Sequence, residues 1–220
     1  MIELTSIYKS FGELVVLNGI DLTIAPQELV AITGPSGAGK STLLHIMGTL
    51  EAPDPHQAAS IKLNGQSVLG MTPKALAEFR NQQLGFVFQS HELLPEFTAI
   101  ENVCLPAWIS AQPKAKTLKK AKELLSHLGL EHRFNHKPTT LSGGEKQRVA
   151  VARALINAPK IVMADEPSGN LDSQNAQELH QLFFDLRKTM ETTFVIVTHN
   201  QEFAQQADRI IDLKDGQIRN

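Results

Sequence analysis

One run of residues, Gly34, Pro35, Ser36, Gly37, Ala38, Gly39, Lys40, Ser41 and Thr42, carries the most specific chemistry in the chain. Its spacing is G-x-x-x-x-G-K-[ST], the pattern of a phosphate-binding loop. Glycines at these positions let the backbone curl, so that successive N–H groups turn inward and form a nest for phosphate oxygens. Lys40 then reaches the β- and γ-phosphates as a point charge, and the Ser41 hydroxyl is placed to ligate Mg²⁺. The flanks have the required order. Glu28 to Thr33 reads as a short buried strand, and Lys40 to Met47 as a helix closed by Gly48. The helix N-terminus therefore points at the anion, and the run reads as a nucleotide site.

Further reactive groups stand at the ends of apolar strands. Ile161-Val162-Met163-Ala164 delivers Asp165 and Glu166, and Phe194 to Thr198 delivers His199. Ligands of open α/β sheets bind outside the carboxyl ends of the strands, so parallel strands place the loop, two carboxylates and an imidazole in one crevice. Asp165 suits the surroundings of Mg²⁺. Glu166, turned the other way by strand alternation, is placed to orient or deprotonate an attacking water. His199 is a candidate to polarise that water or to sense the γ-phosphate. Leu141-Ser142-Gly143-Gly144-Glu145 has two readings that can both hold. One is a capping box with Ser142 as N-cap, and the other is a second anion site at a helix N-terminus. His132 and His136 have i,i+4 spacing with no third ligand nearby in sequence, and are read as structural.

The elements that position these groups are legible in outline. Ile2 to Tyr8, Leu14 to Leu17 and Ile20 to Ile24 read as strands, and Ile61 to Val68 as a hairpin turning on Asn64-Gly65. Thr72-Pro73 starts a helix, and Leu84 to Phe88 is a strand leading into Gln89. The signals from His91 to Pro138 are mostly helical, with Pro95, Pro106 and Pro113 as punctuation. After Leu141 the pattern becomes βα units and closes on a hairpin around Asp215-Gly216. The expected fold is α/β: a mixed sheet core with an antiparallel β layer, forming one domain over 1–220 with 91–138 as an inserted helical lobe.

Composition narrows the classes. A net charge of −2 over 220 residues gives no broad basic field for nucleic acid. A single cysteine, Cys104, excludes a disulfide framework. No basic stretch followed by an apolar run marks a signal peptide, and no apolar stretch has the length to span a bilayer.

Six motifs in order resemble the ATP-binding subunits of ABC transporters, and the resemblance runs through essentially the whole chain. Gly34 to Thr42 stands as Walker A, Ile161 to Glu166 as Walker B, and Leu141 to Glu145 as the signature. Gln89 is similar to the Q-loop glutamine, Ser168 to Asp172 to the D-loop, and His199 to the switch histidine. Phe11 matches the aromatic that stacks on adenine, with Tyr8 as the fallback. The resemblance implies a P-loop NTPase of ABC type that binds ATP and Mg²⁺, with Gln89 joining Ser41 and Asp165 at the cation. It also implies paired subunits, a homodimer among them, set head to tail so that Ser142, Gly143 and Gly144 of one chain meet the nucleotide on the other. Membrane-spanning permease subunits would dock near Gln89 to Ala111, on the cytoplasmic side of a bacterial inner membrane. The stretch Gly85 to Val103 is similar to the ATPases of lipoprotein release, macrolide-type export and cell division. Its Leu-Pro-Glu-Phe-Thr-Ala run leans toward the first. Leu94, Phe97 and Trp108 are the expected apolar anchors for the permease.

Overall fold

The structure, a computed structural model, describes residues 1–219. The strands are β1 (Ile2–Phe11), β2 (Leu14–Ile24), β3 (Leu29–Thr33), β4 (Ser60–Leu63), β5 (Gln66–Ser67), β6 (Leu84–Phe88), β7 (Ile161–Asp165), β8 (Thr193–Val197), β9 (Arg209–Lys214) and β10 (Gln217–Arg219). The helices are α1 (Lys40–Met47), α2 (Pro73–Gln83), α3 (Ala99–Ile109), α4 (Lys114–His127), α5 (Gly143–Leu155), α6 (Ser173–Thr189) and α7 (Gln201–Gln205).

Two sheets form. The antiparallel one has the order β2-β1-β4-β5, and the six-stranded one the order β10-β9-β3-β8-β7-β6. In the second, β9, β3, β8, β7 and β6 run parallel and only β10 is antiparallel. Every residue of β3 and β8 is buried, as expected for strands covered on both faces. Side-chain alternation sorts them into two cores. Leu29, Val162, Ala164, Phe194 and Ile196 face the cluster under α3 to α6. Val30, Ile32, Ile161, Met163, Val195 and Val197 face α1 and the antiparallel sheet. Each fully buried aliphatic or aromatic side chain stabilises by about 1.5–3 kcal/mol. Because both faces are apolar, hydrophobicity alone does not penalise a register slip here. Shape does: Phe194 meets Phe183 edge-on, with ring centroids 6.0 Å apart.

Register is what builds the site. Ile32 pairs with Val197, and Val197 with Asp165, so three strands end at one level. The loops after them emerge side by side.

Several sequence expectations change in detail. Leu14–Leu17 and Ile20–Ile24 are one strand, bent at Gly19 (φ 72) with irregular pairing to β1, rather than two. β1 continues past Tyr8 to Phe11, which is therefore a strand end. Pro106 does not break the apolar run: it lies inside α3, which continues to Ile109. The carbonyl of Pro106 accepts from Asn81 Nδ2 at 2.9 Å and helps to hold α3 against α2. The start of α3 is set by a capping box, Thr98 N–H donating to Glu101 Oε2 at 2.8 Å and Glu101 N–H to Thr98 Oγ1 at 3.4 Å. The hairpin on Asn64-Gly65, with φ of 49° and 76°, and the Thr72 cap of α2 form as expected.

Candidate functional site: a phosphate loop at the ends of parallel strands

β3 feeds straight into the loop at Gly34, whose φ is 139°. An added Cβ there would sit 2.0 Å from the Leu213 carbonyl oxygen, so only glycine fits against β9. The loop closes on α1, whose start, like that of α4, has no side-chain cap. The N-termini of α2, α3, α5, α6 and α7 are each satisfied by a side-chain cap. That of α1, following Gly39, has no such cap and no acidic residue in its first turn. Its N–H groups and the positive end of the helix dipole are thus free for an anion. Lys40 is buried, with its ammonium donating to the Gly34 and Pro35 carbonyls at 2.9 and 3.0 Å.

In the first turn of α1, Ser41 Oγ donates to Asp165 Oδ1 at 3.1 Å. The structure thus brings the Ser41 hydroxyl together with the carboxylate of Asp165, the last residue of β7. His45, one further turn along, has Nε2 3.9 Å from Asp165 Oδ2. The i,i+4 spacing of Ser41 and His45 was the signal that could have found it.

Glu166 stands where the sequence places it, for a different reason. β7 ends at Asp165, and Glu166 takes a left-handed conformation (φ 47), so strand alternation does not aim its side chain. Its N–H donates to the Val197 carbonyl at 3.0 Å, one residue beyond the strand. The carboxylate turns to His199, with Oε1 2.9 Å from Nε2 and Oε2 accepting from the His199 N–H at 3.3 Å. The approach to Oε1 is close but poorly angled for a hydrogen bond, which leaves that buried oxygen without a partner among the described residues. Burial raises the Glu166 pKa above the ordinary glutamate value; the positive charges of His199 and Lys40 only partly oppose it. A carboxylate so placed is a better proton acceptor than an exposed one. A cavity of about 630 Å³ opens beside Glu166 and His199, between α6 and α7. Within it His180 Nε2 lies 2.9 Å from Ser168 Oγ and its ring stacks on Phe203, a contact that nothing in the spacing announced.

Phe11 and the segment Ser142 to Glu145 lie apart from this cluster, whereas Gln89 follows Phe88, the residue paired with Asp165. Ser142 and Glu145 form the capping box, with Ser142 N–H donating to Glu145 Oε2 at 2.7 Å and Glu145 N–H to Ser142 Oγ at 3.2 Å. Arg133 Nε braces Glu145 Oε1 at 2.7 Å. These bonds around Ser142, Gly143 and Gly144 run within and beside α5, not to the phosphate loop of the same chain. Phe11 is half exposed, with Lys9 Nζ 5.0 Å from its ring centroid. Tyr8 instead packs on His56, ring centroids 4.8 Å apart. Gln89, after β6, is paired with Asn170.

Phosphate loop, two carboxylates and an imidazole at the carboxyl ends of one largely parallel sheet define a P-loop nucleoside triphosphatase. The model of the family described as "ABC transporter" matches residues 17–169. The chain belongs to the ABC transporter family, and as a member it binds and hydrolyses ATP. It is 58% identical over 218 residues to the lipoprotein-releasing system ATP-binding protein LolD of Bacteroides fragilis, covering 99% of this chain and 100% of that one. It is 57% identical over 212 residues to LolD of Cytophaga hutchinsonii, covering 96% and 95%. Among solved structures, dimeric MJ0796, a bacterial ABC transporter cassette, matches with a TM-score of 0.90 at 39% identity, covering 100% of this chain and 97% of that one. The post-hydrolysis dimer of MJ0796 bound to ADP and Pi matches at 0.89 and 38%, with the same coverage.

Proposed function

We propose that this chain is the ATPase subunit that powers release of lipoproteins from the bacterial inner membrane. The observation that carries the reading is the identity of 56–58% to LolD proteins along nearly the full chain. In this reading two copies, or two related subunits, stand head to tail and enclose ATP between the phosphate loop of one and Ser142 to Gly144 of the other. The dimeric neighbours support that pairing.

The residues divide the work. Phe11 stacks on the base, and the backbone from Gly34 to Gly39 with the N-terminus of α1 cradles the phosphates. Lys40 leaves its carbonyl partners for the β- and γ-phosphates. Glu166 takes the proton of the attacking water, and His199, 2.9 Å away, holds that carboxylate and the γ-phosphate side of the site in register. Ser41 Oγ and Asp165, 3.1 Å apart, are hard oxygen donors and fit Mg²⁺, with Gln89 as a further donor. The cation, when bound, neutralises charge on the β- and γ-phosphate oxygens.

The permease is read into a groove between the strand and helix layers. A cavity of about 390 Å³ is lined by Leu50, Phe86, Phe88, Glu92, Pro106 and Arg153, among others. The segment Gln89 to Ala111 thus contributes Glu92 and Pro106, while Leu94, Phe97 and Trp108, the expected anchors, do not line it. Arg153 ties the rim, its Nη2 donating to the His91 carbonyl at 2.8 Å and its Nη1 to that of Glu92. No described helix is long and apolar enough to cross a membrane. The reading places the chain at the cytoplasmic face through this groove.

The test is depletion of the chain in its own bacterium, with fractionation of the membranes. Lipoproteins should accumulate in the inner membrane, and the tagged chain should co-purify with a membrane-spanning complex. Normal lipoprotein distribution after depletion would overturn the reading.

A further inference from the structure

Gln89 and Asn170 face each other across two loops, one after β6 and one after β7. Asn170 Nδ2 donates to the Gln89 main-chain carbonyl at 3.1 Å, and Gln89 Nε2 donates to Asn170 Oδ1 at 3.1 Å. The two bonds fix both carboxamides. A main-chain carbonyl accepts only, so the amide end of Asn170 must face it, and Oδ1 is then the atom left for Gln89. Oδ1 also accepts only, so the amide end of Gln89 must face Asn170. Gln89 Oε1 is left with no hydrogen bond among the described residues. Gly169 permits the approach: an added Cβ would lie 2.7 Å from Gln89 Nε2 and 3.1 Å from its Cδ.

We propose that Asn170 is a positioning residue that determines which end of the Gln89 carboxamide is free, leaving the oxygen to meet a divalent cation. The proposal rests on the reading of Gln89 as a donor to Mg²⁺. The consequence is chemical. A carboxamide oxygen ligates a hard cation, whereas the –NH₂ end carries partial positive charge and repels it. Without Asn170 the amide rotates between two nearly equivalent orientations, one of them unable to ligate. The pairing also joins two loops that serve different neighbours. Phe88 and Glu92, on either side of Gln89, line the groove read as the permease site, and Asn170 lies in the loop that follows Glu166.

The measurement is binding of a fluorescent ATP analogue with and without Mg²⁺, in a Glu166→Gln background that does not turn over. The quantity read is the ratio of the two affinities. Asn170→Ala should lower the enhancement by Mg²⁺ about two- to tenfold, the range spanned by loss of one hydrogen bond, and leave binding without Mg²⁺ unchanged. Gln89→Ala should lower it at least as far, and the double variant no further than Gln89→Ala alone. Gly169→Ala, whose methyl displaces the amide while Asn170 remains, should produce the same loss. If Gln89→Ala lowers the enhancement but Asn170→Ala and Gly169→Ala keep the parent value, the proposal is overturned and the reading of Gln89 stands. Effects of Asn170→Ala and Gln89→Ala that multiply in the double variant also overturn it. An unchanged enhancement in Gln89→Ala overturns the reading of Gln89 and the proposal with it.

Discussion

Replacing Glu166 by glutamine separates the two consequences of burying a carboxylate at the end of β7. The side chains are nearly the same size, so the left-handed backbone and the packing around it are retained. For catalysis, the variant lacks the proton acceptor. Loss of a general base costs about 10²–10⁴-fold in rate, which is roughly 3–5 kcal/mol of barrier at 1.36 kcal/mol per decade. Nucleotide binding should survive, because the phosphate loop and the uncapped start of α1 are untouched. For stability the sign is opposite. Burial raises Glu166 above the glutamate value of 4.5, so the folded chain holds this proton more tightly than the unfolded chain. That contribution favours the fold below 4.5 and is lost as pH rises through the raised value. At neutral pH the wild-type fold carries an ionised group it disfavours, and its Oε1 has no hydrogen-bond partner. Glutamine removes the charge. We expect the variant to unfold at a higher temperature than wild type at neutral pH, with the gap closing toward pH 4. Phosphate release and thermal unfolding across that range measure both. Turnover within tenfold of wild type, or a variant less stable at neutral pH, would refute the reasoning.

His199→Ala removes a positive neighbour that lowers the Glu166 pKa, so the acid limb of the pH–rate profile should move to higher pH; an unmoved limb would detach His199 from that carboxylate. Phe11→Ala should weaken ATP binding about 5- to 150-fold, since stacking on a base contributes about 1–3 kcal/mol. The fold should be unaffected, because Lys9 keeps its 2.6 Å pair with Glu51, and titration beside thermal unfolding checks both. Gly144→Asp mixed with Lys40→Ala should recover ATPase that neither has alone, since one site of the mixed pair is intact; no recovery in demonstrated heterodimers would count against the head-to-tail arrangement. Gly144→Asp must first be shown to fold, as a Cβ there lies 2.3 Å from Asn175 Oδ1, which Asp172 holds in place.

Much of the site was legible because its parts are local. The phosphate loop, the carboxylates after Ala164 and the histidine after Thr198 follow apolar strands directly, and parallel pairing brings strand ends together. What the sequence hid are features decided by contacts across the chain. Alternation was the wrong reason for the direction of Glu166, since the backbone turns left-handed only where its N–H reaches Val197. Pro106 looked like a helix breaker because propensity disfavours proline within a helix, yet α3 packs on α5 and continues through it. Leu94, Phe97 and Trp108 rest on apolarity and on prolines taken to break the run, and none of them lines the groove. Which apolar residues border a groove depends on how α2, α3 and α5 close on β6. Asn170 had no motif to announce it; its role rests on meeting Gln89, 81 residues earlier.

The place of β3 between β8 and β9 has a consequence for how the chain is made. Gln27, at the foot of β3, bonds Thr193, at the foot of β8, 166 residues later. At about 5–20 residues per second, roughly 8–30 s pass on the ribosome before the phosphate-loop strand can find either neighbour. Throughout that interval a five-residue strand, apolar from Leu29 to Ile32, has both edges unpaired. Nascent chains arrested before residue 190 should therefore be cleaved by protease near Leu29 to Thr33 and should bind holdase chaperones. Chains long enough to expose β8 and β9 outside the ribosome should resist, and equal protease sensitivity at both lengths would show that this strand is sheltered in some other way.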